Sequence, residues 1–182
     1  TKPPVGWGVA LGHRPPGGYG EAAAFVTIDG TGKVTLHTPI WDTGTGAQTI
    51  LRQIVAEELT IPVESVGLNV LNTDGVAFDT WIGGTRGTYT EGQAVLDAVQ
   101  ELKTKLLVAA AELLECPFKR VILTSGNVMI KGEYNDSISI NKLAHRTVEA
   151  SGQPIVGQSQ ISGTGSSVTA YCAQVAKVEV DT

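Results

Sequence analysis

The chain turns on Asp42-Thr43-Gly44-Thr45-Gly46-Ala47-Gln48-Thr49. Ahead of it, Val34, Leu36 and Thr38 alternate with Thr35 and His37, which predicts a strand over Lys33–Ile40. Behind it, Ala47, Ile50, Leu51, Ile54 and Val55 recur at helical spacing and predict a helix from about Gln48 to Leu59. The glycines therefore join a strand to a helix N-terminus. There the first backbone N–H groups have no partner within the helix, and the aligned peptide dipoles favour negative charge. Glycine keeps the backbone open to a phosphate or a polar heterocycle. A plain tight turn is the competing reading. A dinucleotide fingerprint is rejected, because several strands precede and Thr49 stands where Gly or Ala is required. A P-loop is rejected because no Gly-Lys-Ser/Thr follows.

A second glycine-dense stretch, Asn72–Tyr89, contains Gly83-Gly84-Thr85-Arg86-Gly87-Thr88 and leads into another helix. Thr90 and Gln93 fit a capping box. Val95, Ala98, Val99, Leu102, Leu106, Ala109, Ala110 and Leu113 form the apolar stripe that follows, with Glu101 and Lys105 paired on the wet side. The planar fork of Arg86 suits phosphate or planar acceptors, and a solvated arginine in a turn is the alternative. Two such loops, each feeding a helix start, raise the prospect of one shared anionic ligand.

Working outward, Val5–Leu11 alternates Val5, Trp7, Val9 and Leu11 against small residues, a strand with a glycine-thin outer face. His13–Gly20 reads as a loop, Ala22–Ile28 as a strand, and Asp29-Gly30-Thr31-Gly32 as a hairpin turn. Pro62 ends the first helix, and Gly67–Leu71 is a short strand. Beyond the second helix, stopped by Pro117, Val121–Leu123 and Val128–Ile130 read as a hairpin. Ser139 is the expected N-cap of a third helix, with Ile140, Leu143, Ala144 and Val148 inward and Gly152 as its stop. Ile155–Ile161 and Tyr171–Val180 complete the strands, with Gly163–Ser167 as a loop. The pattern predicts α+β, a mixed sheet packed with two or three helices, in a single domain over residues 1–182.

The chain has 182 residues, 42% hydrophobic and 17% charged, so it can bury a core and is not compositionally disordered. A net charge of −5 without a Lys/Arg cluster argues against nucleic acid as a partner. The longest apolar run, Leu106–Ala111, is too short to insert across a membrane. Cys116 and Cys172 are isolated, and His13, His37 and His145 form no catalytic or metal-ligating spacing. Glu57 and Glu58 read as water-facing, and Asp74 and Asp79 as turn formers in the long loop. A start at Thr1 without Met, and a stop at Thr182 just after a strand pattern, set the expectation of a piece of a longer polypeptide.

Four segments, in order, carry a resemblance. Asp42–Pro62 resembles the glycine turn and helix of the molybdopterin-binding large subunit of the xanthine dehydrogenase and aldehyde oxidase family. Asn72-Thr73-Asp74 resembles its acidic turn, Gly84–Val95 its Gly-Ser-Arg segment, and Ala173–Asp181 its Val-Glu-Val-Asp strand. The family hydroxylates aldehydes or N-heterocycles with oxygen from water, using molybdenum on a pterin dithiolene that some members extend with a cytosine nucleotide. The resemblance implies that Thr43, Gly44, Thr45 and Gly46 contact the pterin near the dithiolene. Gly84, Thr85, Arg86, Gly87 and Thr88 would contact its pterin or phosphate part through backbone N–H groups and side-chain donors. Many members carry Gln where this chain has Thr45, whose shorter side chain offers one donor.

The family's catalytic Glu lies beyond the Val-Glu-Val-Asp strand, and its other molybdenum-facing domain precedes the region matched here. The resemblance thus implies no catalytic residue and no protein metal ligand in this chain. It implies partners in the remaining domains of the same large subunit and in iron–sulfur and FAD subunits or domains. The fragment alone would be inactive and without cofactor. Members occur on both sides of the bacterial inner membrane, cytoplasmic and periplasmic, so the compartment stays open. A non-catalytic scaffold or assembly module that keeps the fold without cofactor is the rival class.

Overall fold

The predicted strand–turn–helix is a parallel crossover: β3 (Val34–Thr38), α1 (Ala47–Leu59) and β4 (Val66–Val70), with β3 and β4 side by side and parallel. In this computed structural model, which describes residues 4–14, 17–72, 74–75, 79–80, 82–165 and 169–181, β3 also pairs antiparallel with β2 (Tyr19–Ile28). β8 (Ile155–Thr164) closes the far edge of this four-stranded sheet, in the order β4-β3-β2-β8. The sheet is mixed, as expected.

Two-residue alternation decides the sheet's buried face. Ala22, Ala24, Val26 and Ile28 of β2, with Val34 and Leu36 of β3, point to the helices. Against them lie Leu51, Val55 and Leu59 of α1, and Val95, Ala98, Val99, Leu102 and Leu106 of α2 (Arg86–Leu113). Each fully buried aliphatic side chain here contributes about 1.5–3 kcal/mol by leaving water. Gly157 lets α2 cross β8 closely, since any side chain there would collide with the Ala98 carbonyl.

The hairpin β5 (Val121–Thr124) and β6 (Asn127–Ile130) gains a third strand, β7 (Glu133–Ser139), which the sequence pattern did not predict. Ser139 then accepts a hydrogen bond from the Lys142 N–H and caps α3 (Ile140–Ser151), and Gly152 closes that helix in the left-handed conformation. Asp29 holds the β2–β3 turn by accepting from the Thr31 and Lys33 N–H groups.

Three expectations are corrected. β1 (Val5–Arg14) pairs with β9 (Ala170–Glu179) in a separate two-stranded ribbon, and its supposed inner residues are exposed: Trp7 69%, Val9 72% and Leu11 83%. Thr90 and Gln93 form no capping box, because α2 has already begun at Arg86. Thr90 donates instead to the Gly18 carbonyl and Gln93 to Asp97. Leu113, assigned to the buried stripe, is exposed near the helix end. The expectations that rest on Thr1, Pro15, Pro16, Thr73, Ser166, Ser167 and Thr182 lie outside the described residues.

Candidate functional site

The loop before α1 is shaped by its glycines. Gly44 (φ 93°) and Gly46 (φ 71°) adopt the left-handed conformation that only glycine takes without cost. A side chain on either would meet nothing within 4 Å, so this backbone is approachable from outside. Thr43, Gly44 and Thr45 are exposed and Gly46 is half-buried. Asp42 Oδ1 accepts from the N–H groups of Gly44 (2.9 Å) and Gly46 (3.1 Å), which stiffens the loop and sets a carboxylate beside the positive helix end. Gln48 donates to the Ile40 carbonyl, tying the helix back to the strand. Among the described residues no side chain caps α1.

The loop before α2 is built differently. Thr85, the N-cap, sits at φ 69° and, like Thr88, is exposed. The Arg86 N–H bonds to the Gly83 carbonyl at 3.1 Å. Its guanidinium, expected to reach a ligand, points inward instead: Arg86 is 0% exposed, 2.6 Å from Asp79 Oδ1, and donates through Nε to the Tyr19 carbonyl. The reason is local. Glu21 and Thr80 zip the β2 start to this loop, through Glu21 N–H to Thr80 Oγ1 at 2.6 Å. Gly17 packs so closely on Gly84 that a side chain would strike its carbonyl. Asp79 thus anchors the loop by an ion pair and is more than a turn former.

The two helix starts meet. A Cβ on Gly87 would lie 3.4 Å from Ile82 and 3.8 Å from the Ala47 Cβ, so the first turns of α1 and α2 pass close to each other. The nine predicted site residues therefore flank one junction, although Arg86 and Gly87 are buried supports of it. A groove of about 830 Å³ opens beside it between the helices, with Thr85 and Thr88 in its lining and the β8 end at Ser162–Thr164.

Sequence reasoning missed the polar core beneath this junction. Thr38, at the end of β3, donates to Glu91 Oε1 at 2.6 Å and accepts from the Ile40 N–H at 3.1 Å. Glu91 is 0% exposed. Burial pushes its carboxyl up from 4.5 to about 8, with the Asp79 charge adding to the rise and the Thr38 hydrogen bond and Arg86 opposing it. One signal was present in the sequence. Gly87, Glu91, Ala94 and Ala98 follow one another along the buried side of α2, so Glu91 interrupts a stripe of small residues. His37 lies on a strand face beside Thr27 and Asn69, and His145 on the exposed side of α3 against the Gly30 carbonyl. No group of three or more metal-ligating side chains occurs among the described residues. No helix there is long and apolar enough to cross a membrane.

Residues 1–182 match the molybdopterin cofactor-binding domain family. This chain belongs to that family. It is 29% identical to a probable hypoxanthine oxidase XdhD of Escherichia coli K12 over 98% of its own length, which is 19% of that protein. It is 31% identical to the nicotine 6-hydroxylase large subunit of Paenarthrobacter nicotinovorans over 66% of its length and 15% of that subunit. Its fold is that of the corresponding part of quinoline 2-oxidoreductase from Pseudomonas putida 86, with a TM-score of 0.79 over 97% of this chain and 25% of that one, at 21% identity. The chain thus spans a fifth or less of the curated relatives it matches.

A molybdopterin cofactor-binding domain must grip a flat, polar, phosphate-bearing group, and the junction fits one. Two helix N-termini lie side by side without side-chain caps among the described residues, and each carries roughly half a positive charge. The exposed hydroxyls of Thr43, Thr45, Thr85 and Thr88 add short donors that cost little to order. The open backbone at Gly44 and Gly46 removes the steric barrier to close approach.

Proposed function

We propose that this domain holds molybdopterin against the α1 and α2 starts, as part of a molybdenum hydroxylase acting on an aldehyde or an N-heterocycle. The close approach of Gly87 to Ala47, near enough that an added Cβ on Gly87 would touch the Ala47 Cβ, sets two helix N-termini near each other and is the observation that carries this reading. When bound, the cofactor supplies the redox-active molybdenum at which such hydroxylases add water-derived oxygen to substrate. Thr43, Gly44, Thr45 and Gly46 are the residues assigned to the pterin near its dithiolene. Gly84, Thr85 and Thr88 are assigned to its pterin or phosphate part through N–H and hydroxyl donors. Arg86 and Gly87 act from below, by holding that loop in place. The names of the relatives divide between N-heterocycles, hypoxanthine and nicotine, and an aldehyde, so both substrate classes stay within the proposal.

The rest of the reading concerns the longer protein. The catalytic base, the opposite wall of the pocket and the iron–sulfur and FAD partners are assigned to polypeptide outside these residues. Residues 1–182 are then inactive alone, and turnover of aldehydes by them with a dye acceptor would overturn that. Molybdenum and pterin analysis of the longer native protein should give close to one of each per chain, and nucleotide release on hydrolysis would mark the cytosine dinucleotide form. One observation favours the rival scaffold reading: Asp42 already occupies the N–H groups of Gly44 and Gly46. A native protein free of molybdenum and pterin would decide for the scaffold.

A further inference from the structure

We infer that Glu91 is a positioning residue that locks the two cofactor-facing loops to each other, joining Thr38 below the α1 loop to the Asp79–Arg86 pair below the α2 loop. The inference rests on the reading of those loops as a cradle. Its geometry does not. Glu91 lies in the second turn of α2 and is wholly buried. Its Oε1 accepts from Thr38 Oγ1 at 2.6 Å, and Thr38 in turn accepts from the Ile40 N–H. Ile40 begins the run into Asp42–Gly46. On the other side, Asp79, whose charge adds to the rise of the Glu91 carboxyl, makes the 2.6 Å ion pair with Arg86. Arg86 continues to the Tyr19 carbonyl.

Two carboxyl groups in contact inside a protein do not both ionise, because each charge raises the cost of the other. One proton between them settles the arrangement. Glu91 Oε2 accepts no hydrogen bond among the described residues, and it is the oxygen that can carry that proton and donate it to Asp79. Asp79 faces Arg86 with its other oxygen, at 2.6 Å. Every group in the series then has a partner: Ile40 donates to Thr38, Thr38 to Glu91, Glu91 to Asp79, and Arg86 to Asp79 and Tyr19. Leucine of similar size would fill the space but would leave the Thr38 hydroxyl without its acceptor and would remove the link from Thr38 to the Asp79–Arg86 pair. A side chain that both accepts and donates is required at position 91, because one side must accept and the other must donate.

The test uses the longer protein that carries this domain, prepared with and without molybdate, and reads hydrogen exchange in peptides covering residues 40–46 and 82–88 as well as molybdenum content. Glu91→Leu should speed exchange about tenfold in both peptides together, the consequence of losing about one buried hydrogen bond at each end. Glu91→Gln, which keeps one acceptor and an N–H donor, should stay close to wild type in both. Molybdenum content should fall several-fold in Glu91→Leu and recover in Glu91→Gln. Should Glu91→Leu fail to fold, Thr38→Val cuts one end alone and should loosen residues 40–46 while sparing 82–88. Glu91→Leu loosening one peptide only, or Glu91→Gln behaving like Glu91→Leu, overturns the inference. If the wild type itself holds no molybdenum, the cradle reading fails, and the paired change in exchange still decides the role of Glu91.

Discussion

Thr38 and Glu91, 53 residues apart in the chain, meet at 2.6 Å in a site from which water is excluded. The contact joins the end of a sheet strand to the second turn of the longest helix. Thr38 both donates and accepts there, so its single O–H donor is committed to Glu91. Replacing it by the isosteric Val leaves the Ile40 N–H and Glu91 Oε1 without partners. Each orphaned buried group costs about 1–3 kcal/mol. Thr38→Val should therefore lower the urea-unfolding free energy by about 2 kcal/mol or more with an unchanged m-value. A loss below about 0.5 kcal/mol would mean that the site admits water.

The proton on Glu91 gives a signed pH dependence. Its folded-state pKa is raised, by burial first, to about 8 from an ordinary 4.5. Between those values the folded chain holds a proton that the unfolded chain has released. The stability this group contributes is complete below pH 4.5 and is lost as pH rises toward 8. Asp79, Arg86 and Thr38 are the groups that face it. Glu91→Gln has no such proton. The stability of wild type minus that of Glu91→Gln should decline steadily from about pH 4.5 to 8 and level off above, by the linkage of proton binding to folding. Parallel curves for the two proteins would show that Glu91 titrates as in water.

Arg86 and Asp79 form a pair in which the side chains are 1% and 10% exposed. Removing one member of a buried pair strands the other charge, a loss of about 3–5 kcal/mol. Arg86→Met should cost that much. Asp79→Asn with Arg86→Met should recover a large part of it, because no ion is then left uncompensated. Chemical denaturation of the four proteins of this double-mutant cycle measures the coupling. Additive losses would mean that Arg86 acts through its other contacts alone.

What the sequence made legible was local. The stripes of α1 and α2, the Ser139 cap, the Gly152 stop and the β3–turn–α1 passage each follow from residues within a few positions of one another. What it hid was set at a distance. The ribbon of β1 and β9 joins Val5 to Glu179, opposite ends of the chain, and its apolar alternation looks like that of a half-buried strand. β7 has Glu133, Asp136 and Ser137 in place of strong β-formers, and it forms because β6 offers an unpaired edge. The candidate site divided in the same way. The start of α1 was evident from glycine placement and that of α2 was set a turn too late, at Thr90, while the inward turn of Arg86 depends on Asp79 and on the Tyr19 carbonyl, which only the fold brings near. Nothing local marks Glu91, because a lone carboxylate on a helix nearly always lies at the surface.

Charge at the two helix starts separates ligand binding from folding. Thr45 and Thr88 are exposed, one in the α1 loop and one in the first turns of α2. An acidic side chain near a helix N-terminus favours the helix by about 0.3–1 kcal/mol. The same charge repels an anionic, phosphate-bearing cofactor and competes for the same N–H groups. Thr45→Asp with Thr88→Glu should thus leave the unfolding temperature unchanged or slightly raised. Molybdenum and pterin content of the longer protein should fall about tenfold or more, the effect of some 1.4 kcal/mol of lost affinity at limiting cofactor. Raising the salt concentration during reconstitution should narrow the gap between variant and wild type, since exposed charges are screened. Full cofactor content in the double variant would place the anionic part of the cofactor away from this junction, whereas equal losses of stability and cofactor would show only that the loops had been damaged.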